Sequence, residues 1–318
     1  MTDYATQDRI GKIGGSDLPS ILGRGYDSPY KAWRKIMGMD QGETNEHMLR
    51  GQRLEAGILE LTADKYRHPV VGGMRLNHPD YPWLIGSLDG LLCLPDAVVP
   101  VEAKSVARFD GAPIDAHAIQ LSHYTGMLLR VSRDNPTLGL DPVVYPAGFV
   151  PTPTSYGVLS VLCGPLNTFE IAHDPDEWES WIAKAKEFYE RHIVTTVPPP
   201  LTTTEDVAIA HPTSTEGKKH RLGEDGIARM LHLASLRRYI KEAETQAEAL
   251  EVGLKSEMGD AEEMLGDGNV VVATYKGHLR DSLDTKRLAA DHPVLADSYR
   301  RKITVRQFRL KLGGGKEE

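Results

Sequence analysis

Hydrophobic and polar positions along the chain change period repeatedly, and each change marks an element. Gly14-Gly15-Ser16-Asp17 reads as a loop and cap. Leu18, Ile21 and Leu22 follow at helical spacing, so a short helix is expected from Ser16. Ser28-Pro29 opens a second helix over Tyr30 to Met37, and Met48 to Tyr66 carries Leu54, Ile58 and Leu61 at three- and four-residue intervals. The period then shortens. Trp83 to Asp89 and Val98 to Lys104 are short apolar runs bounded by Pro, Asp and Gly, the pattern of neighbouring buried strands. Ile114 to Val131 returns to helical spacing, and Tyr156 to Leu162 and Thr168 to Ala172 read as further strands. Asp174 caps a one-sided helix carrying Trp178, Trp181, Ile182, Ala185, Phe188 and Tyr189, which Pro198-Pro199-Pro200 ends.

Residues 201–221 are rich in Thr, Ser, Pro and Gly and are expected to form a linker or surface excursion. Beyond them, Leu233, Leu236, Ile240, Ala243, Ala247, Leu250 and Leu254 recur in steps of 3-4-3-4-3-4, a heptad stripe on one long helix that Gly259 stops. The stripe packs either on the protein itself or on a partner. Val270 to Tyr275 and Ile303 to Leu312 are expected strands, and 313–318 a disordered tail. The expected organisation is a core over 1–200, the linker, and a helix-and-strand appendage over 222–312.

Length agrees with that division, since 318 residues correspond to about two domains. Hydrophobic residues at 40% and charged residues at 26% exclude wholesale disorder. No apolar run approaches the roughly 18 residues of a membrane helix, and the first twelve residues lack a signal-peptide centre. A soluble, cytoplasmic protein with no membrane partner is expected. Two cysteines, Cys93 and Cys163, are too few for a disulfide framework or a four-cysteine metal site, so a metal here would be held by oxygen or histidine. The net charge is −8, yet Lys276 to Lys311 holds ten Lys/Arg against four Asp/Glu, an excess of six positive charges. No G-x-x-x-x-G-K-[ST] loop is present, which argues against nucleotide hydrolysis.

The candidate chemistry lies on the two central strands. Asp89 closes one, and Glu102-Ala103-Lys104 lies inside the next, where alternation turns Glu102 and Lys104 to the same side. Two carboxylates about 4 Å apart repel by about 4 kcal/mol at an effective dielectric near 20, so gathering them calls for a cation. Oxygen ligands favour Mg²⁺ or Mn²⁺. The lysine adds what ion binding alone would not need: it can orient an attacking water and stabilise charge growing on a phosphate. The competing reading is a solvated ion pair, which the apolar flanks of both runs weaken.

These residues resemble the PD-(D/E)XK nuclease signature, and their surroundings resemble the YqaJ-like viral recombinases, relatives of phage lambda exonuclease. Ile13-Gly14-Gly15-Ser16-Asp17 with Ile21-Leu22-Gly23 resembles the family's opening GGSD segment, and Ser28-Pro29-Tyr30 with Trp33 its following helix. Gly51 to Glu55 resembles its G-x-x-x-E helix, Gln120 with His123 its Q-x-x-H segment, and Pro198-Pro199-Pro200 the end of its aromatic helix. Leu88 stands where the signature has Pro, and Ala103 fills the variable position; neither change removes a functional group.

The resemblance implies an α/β, restriction-endonuclease-like mixed sheet flanked by helices, with the C-terminal helix and a small β appendage added. It implies a Mg²⁺-dependent DNA exonuclease, with Mn²⁺ as a substitute, that resects duplex ends 5′ to 3′ for phage-type recombination in the cytoplasm of a bacterial host. Asp89, Glu102 and the carbonyl of Ala103 would bind the principal ion, and Glu55 would help hold a second. Lys104 would activate water, Gln120 would orient the lysine or the phosphate, and Arg9 with Ser16 would grip a 5′-phosphate. Implied partners are duplex DNA ends, a single-strand annealing protein and further copies of the chain, as in a trimeric ring. The alternatives are a structure-specific endonuclease on the same core and a DNA-end scaffold with an idle site. His123 reads as a satisfied helix residue, His173-Asp174 as an N-cap, and the basic stretch from Arg300 to Lys311, with Tyr299 and Phe308 among its charges, as either a phosphate-tracking surface or an ordinary charged strand face.

Overall fold

Most of the expected elements form, and their packing brings Asp89 and Glu102 onto adjoining strands. The computed structural model describes residues 9–40, 46–109, 111–112, 114–133, 151–300 and 306–310. Three helices come first: α1 (Leu18–Ile21), α2 (Pro29–Ile36) and α3 (Glu46–Tyr66). The first starts at Leu18 rather than Ser16, because Asp17 is its N-cap residue and turns its carboxylate back to the Gly14 N–H at 3.0 Å. Ser28 caps α2 by accepting from the Lys31 N–H. On α3 the buried face runs through Ile58, Leu59 and Thr62; Leu61, expected in the stripe, points outward at 44% exposure.

A six-stranded mixed sheet follows, of β1 (Val70–Asn77), β2 (Ile85–Cys93), β3 (Ala97–Ser105), β4 (Thr152–Pro153), β5 (Tyr156–Leu162) and β6 (Leu166–Ala172). Its main path runs β1-β2-β3-β5-β6, with β4 paired to β3. β3 is parallel to β4 and to β5 and the other pairings are antiparallel, with α4 (Asp115–Val131) in the crossover between β3 and β5. β1 was not expected from sequence, since Gly72-Gly73 breaks its apolar alternation.

Strand alternation divides the core. Leu92, Val99, Val101 and Val158 pack under Leu59 of α3, whereas Leu159 and Val161 pack under Leu121 of α4. Glu102, paired with Leu159, therefore lies on the α4 side. α5 (Pro175–Phe188) is N-capped by Asp174, which accepts from the Asp176 and Glu177 N–H groups, and it ends in a π turn over Tyr189–Val194. Inside the stretch expected as a linker, α6 (Thr204–Ala210) is helical. Its fully buried Asp206 accepts from the Thr202 and Thr203 N–H groups and the Ser28 hydroxyl, tying that stretch to α2.

The chain divides into Met1–Ile209 and Ala210–Glu318. The second unit contains the 35-residue α7 (Glu224–Met258), stopped at Gly259 with φ 56°, the hairpin β7 (Glu263–Leu265) and β8 (Val271–Thr274), and the short helices α8 (Thr285–Asp291) and α9 (Pro293–Ser298). Residues 306–310, part of the last expected strand, form no strand; 303–305 and 311–312, and the expected tail over 313–318, lie outside the described residues. Among the described residues no helix is long and apolar enough to cross a membrane.

Candidate active site

The site forms where two strands part. The β2–β3 ladder runs from Cys93↔Val98 to Gly90↔Val101 and stops there, while β2 continues against β1 as far as Ile85↔Asn77. At the opening, Asp89 Oδ2 accepts a hydrogen bond from the Ala103 N–H at 2.8 Å, a donor that continued strand pairing would have used. Glu102 follows on the same face, 1% exposed, and Lys104 Nζ donates to its Oε1. Glu102 Oε2 is buried and accepts no hydrogen bond from any described donor.

The electrostatics follow from this enclosure. Burial pushes the Glu102 carboxyl up to about 8, Lys104 opposing and Asp89 reinforcing the shift. Burial also raises Asp89, against the Ala103 N–H, Lys104 and Glu102, which hold it down. Protonated Glu102 can share its proton with Asp89, so the pair titrates as a unit. Glu55, half-buried on α3, is raised first by burial and then by Asp89, with Lys104 opposing. Lys104 is raised because Glu102 and Asp89 outweigh its desolvation.

Of the residues singled out from sequence, Asp89, Glu102, Lys104 and Glu55 thus share one electrostatic neighbourhood. Gln120 is buried on α4, where its Nε2 donates to the Tyr124 hydroxyl at 2.9 Å. Tyr124 is a residue the sequence reading missed. Its phenol is held un-ionised by burial and by the nearby Glu102 and Asp89, and the four-residue step from Gln120 was the available signal. His117, also unremarked, packs against the ring of Tyr26 and is pushed down to about 4 by burial and by Lys104. His123 is fully buried and satisfied, contacting the Ile85 carbonyl through Nε2 and accepting from the Trp178 indole through Nδ1.

Arg9 and Ser16 form a second cluster. The Arg9 guanidinium donates to Ser16 Oγ at 2.9 Å and approaches Asp17 Oδ2 at 3.4 Å, while Lys35 lies 3.6 Å from Asp17 Oδ1. Two cations around one buried aspartate leave a local positive excess beside the exposed Ser16. The GGSD segment is shaped by these contacts: a Cβ on Gly15 would lie 2.3 Å from the Tyr124 ring, and one on Gly14 would lie 2.8 Å from the Arg9 guanidinium. The same ring thus connects the two clusters.

Among the described residues no three His, Cys, Asp or Glu side chains form a ready-made metal cage. The donors at the strand opening nevertheless fit a hard divalent ion: two carboxylates, one with a buried oxygen that accepts no hydrogen bond from the described residues. Such an ion commonly takes one or two carboxylates and completes its shell with water and phosphate.

A mixed α/β sheet that sets an aspartate, a glutamate and a lysine on adjoining strands resembles the PD-(D/E)XK arrangement. Residues 6–118 match the YqaJ-like viral recombinase domain, a stretch that includes the GGSD loop, α3 and both site strands. A similar chain is the uncharacterized protein YqaJ of Bacillus subtilis (strain 168), 24% identical over 317 residues, covering 94% of this chain and 91% of that protein. Similar solved structures include the alkaline exonuclease LHK-Exo of Laribacter hongkongensis, at 14% identity and TM-score 0.44 over 60% of this chain and 94% of that one. A phage-related exonuclease from Haemophilus somnus 129PT aligns at 14% identity and TM-score 0.39 over 58% of this chain and 96% of that one.

Proposed function

We propose that the protein is a Mg²⁺-dependent DNA exonuclease, with Mn²⁺ as a substitute, that hydrolyses phosphodiester bonds at duplex ends 5′ to 3′ in recombination. The observation that carries this reading is the strand opening itself, where Asp89, Glu102 and Lys104 meet and Glu102 Oε2 has no donor among the described residues. The YqaJ-like viral recombinase domain over residues 6–118 supports the same reading.

Asp89, Glu102 and the Ala103 carbonyl would hold the principal ion, and Glu55 a second. Divalent ions would offset the carboxylate charge and act as Lewis acids on the phosphate. The remaining roles belong to the chain. Lys104 carries three donors, with which it orients the attacking water and stabilises charge growing on the phosphate oxygens. Gln120 is a positioning residue whose amide is fixed by the Tyr124 hydroxyl, leaving its carbonyl oxygen to accept from the lysine or its second amide N–H to donate to the phosphate. Arg9 and Ser16 would grip a terminal 5′-phosphate, with Lys35 adding positive charge nearby. A single-strand annealing protein is the proposed partner in recombination, receiving the strand that resection exposes.

The test is digestion of an end-labelled duplex with Mg²⁺ or with EDTA, beside a covalently closed circle. Mg²⁺-dependent shortening of the duplex and an intact circle are expected. Cutting of the circle would indicate an endonuclease, and undiminished digestion by folded Asp89→Ala or Lys104→Ala would refute the site assignment.

A further inference from the structure

The long helix α7 carries features that the strand opening in the first unit does not explain. From Leu236 onward, Leu236, Ile240, Leu250 and Leu254 are all exposed, between 44% and 71%, and Ala243 and Ala247 between them are exposed as well. These six occupy the a and d positions of an unbroken heptad. Charge is divided along the same helix. Residues 229–241 hold Arg229, Arg237, Arg238 and Lys241 and no acid, while 242–258 hold five glutamates and the single cation Lys255. Gly253 lies inside this helix, where glycine costs about 1 kcal/mol relative to alanine, and a Cβ there would meet nothing within 4 Å. Nothing described within the chain explains that glycine.

We infer that α7 is a self-association helix that pairs antiparallel with α7 of a second copy. Reversing one helix stacks Leu236 on Leu254, Ile240 on Leu250 and Ala243 on Ala247, and two-fold symmetry repeats each layer. Large residues then occupy the ends and alanines the crossing point, so the helices can approach closely at their centre over a seam about 27 Å long. The reversal also opposes the basic half of one helix to the acidic half of the other. At the flanking e positions Arg237 meets Glu251 of the partner subunit, and at the g positions the exposed Tyr239 meets Gly253 of the partner subunit, which gives the glycine a function. A parallel pair would place basic half on basic half and acidic half on acidic half, and would bring neither of these residues opposite its complement. Two contacts oppose the arrangement: Glu244 faces its own symmetry mate at the centre, and the next layer outward sets Leu233 on Glu257 of the partner subunit. This pairing requires nothing from the nuclease reading.

Sedimentation or light scattering of the full chain tests it, with nuclease assays run in parallel to keep the two readings separate. An even number of copies is expected at high concentration. Ile240→Asp and Leu250→Asp, both at exposed positions, should dissociate the pair while leaving helix content by circular dichroism unchanged. Arg237→Glu should weaken association roughly tenfold, and adding Glu251→Arg should restore it, because the swapped charges again oppose. Glu244→Gln should tighten it. A monomer, an odd number of copies, an assembly indifferent to both aspartates, or failure of the double swap to rescue would each overturn the proposal.

Discussion

Glu102 is a carboxylate that the fold buries beside a second acid, and at neutral pH the protein alone meets that cost with a lysine and a proton. Its carboxyl is raised to about 8 and Lys104 donates to it. A cation bound there must displace the proton, so Mg²⁺ affinity measured by calorimetry should strengthen as pH rises from 6.5 through about 8 and level off above it, with proton release in the lower part of that range. A flat dependence would mean that Glu102 does not ligate. Removing Asp89 or Lys104 should lower the digestion rate by about two to four orders of magnitude, the range typical for the loss of a proton-transfer or charge-stabilising group. Tyr124→Phe tests the positioning role of Gln120. It strips the acceptor from a buried amide, should cost about 1–3 kcal/mol of stability, and should lower kcat more than it changes KM. If kcat is unchanged while stability falls, the hydrogen bond is structural only.

Between elements, the GGSD loop and α4 interlock through one ring. Gly15→Ala would drive a methyl group to 2.3 Å from Tyr124, so the loop or the helix must move, at a cost of about 1–3 kcal/mol, and the Arg9–Ser16 pair should shift with it. Thermal melts and a comparison of 5′-phosphorylated with 5′-hydroxyl duplex ends would read both effects. Arg9→Ala should remove the preference for phosphate without the stability loss; a preference retained in that variant would contradict the end-gripping role.

At the scale of the whole molecule, three histidines, His78, His123 and His173, surround Trp178 in the first unit. Burial lowers all three, His123 to about 4. A group depressed in the folded state contributes full stability above its unfolded value of about 6.5 and loses it as pH falls toward the folded value. Glu102, raised to about 8, works in the opposite direction as pH falls, so the histidine contribution is read as a difference: in denaturant melts the stability of the protein relative to His123→Gln should fall by on the order of 3 kcal/mol between pH 6.5 and about 4. A stability difference between the two proteins that is the same at pH 7 and pH 4.5 would contradict this account.

Local signals carried much of the molecule. Tyr156–Leu162 and the helices after Asp115 and Asp174 follow from period and caps, and Asp89, Glu102 and Lys104 could be named because acids and a lysine inside apolar runs are rare. β1 was hidden because paired glycines interrupt its alternation, and α6 because its order depends on Asp206 reaching Ser28, 178 residues away in the chain. Tyr124 was missed because its importance lies in what it faces.

The sequence by itself determined most of the element types and the charge division along α7, and it named candidate residues able to do chemistry, since these depend on side chains a few positions apart. Tertiary structure alone decided that the β2–β3 ladder stops at Gly90↔Val101, and that Asp89 thereby takes the Ala103 N–H and meets a buried Glu102. Burial and strand register are set by contacts between distant segments, and those two quantities raise the acids and form the site.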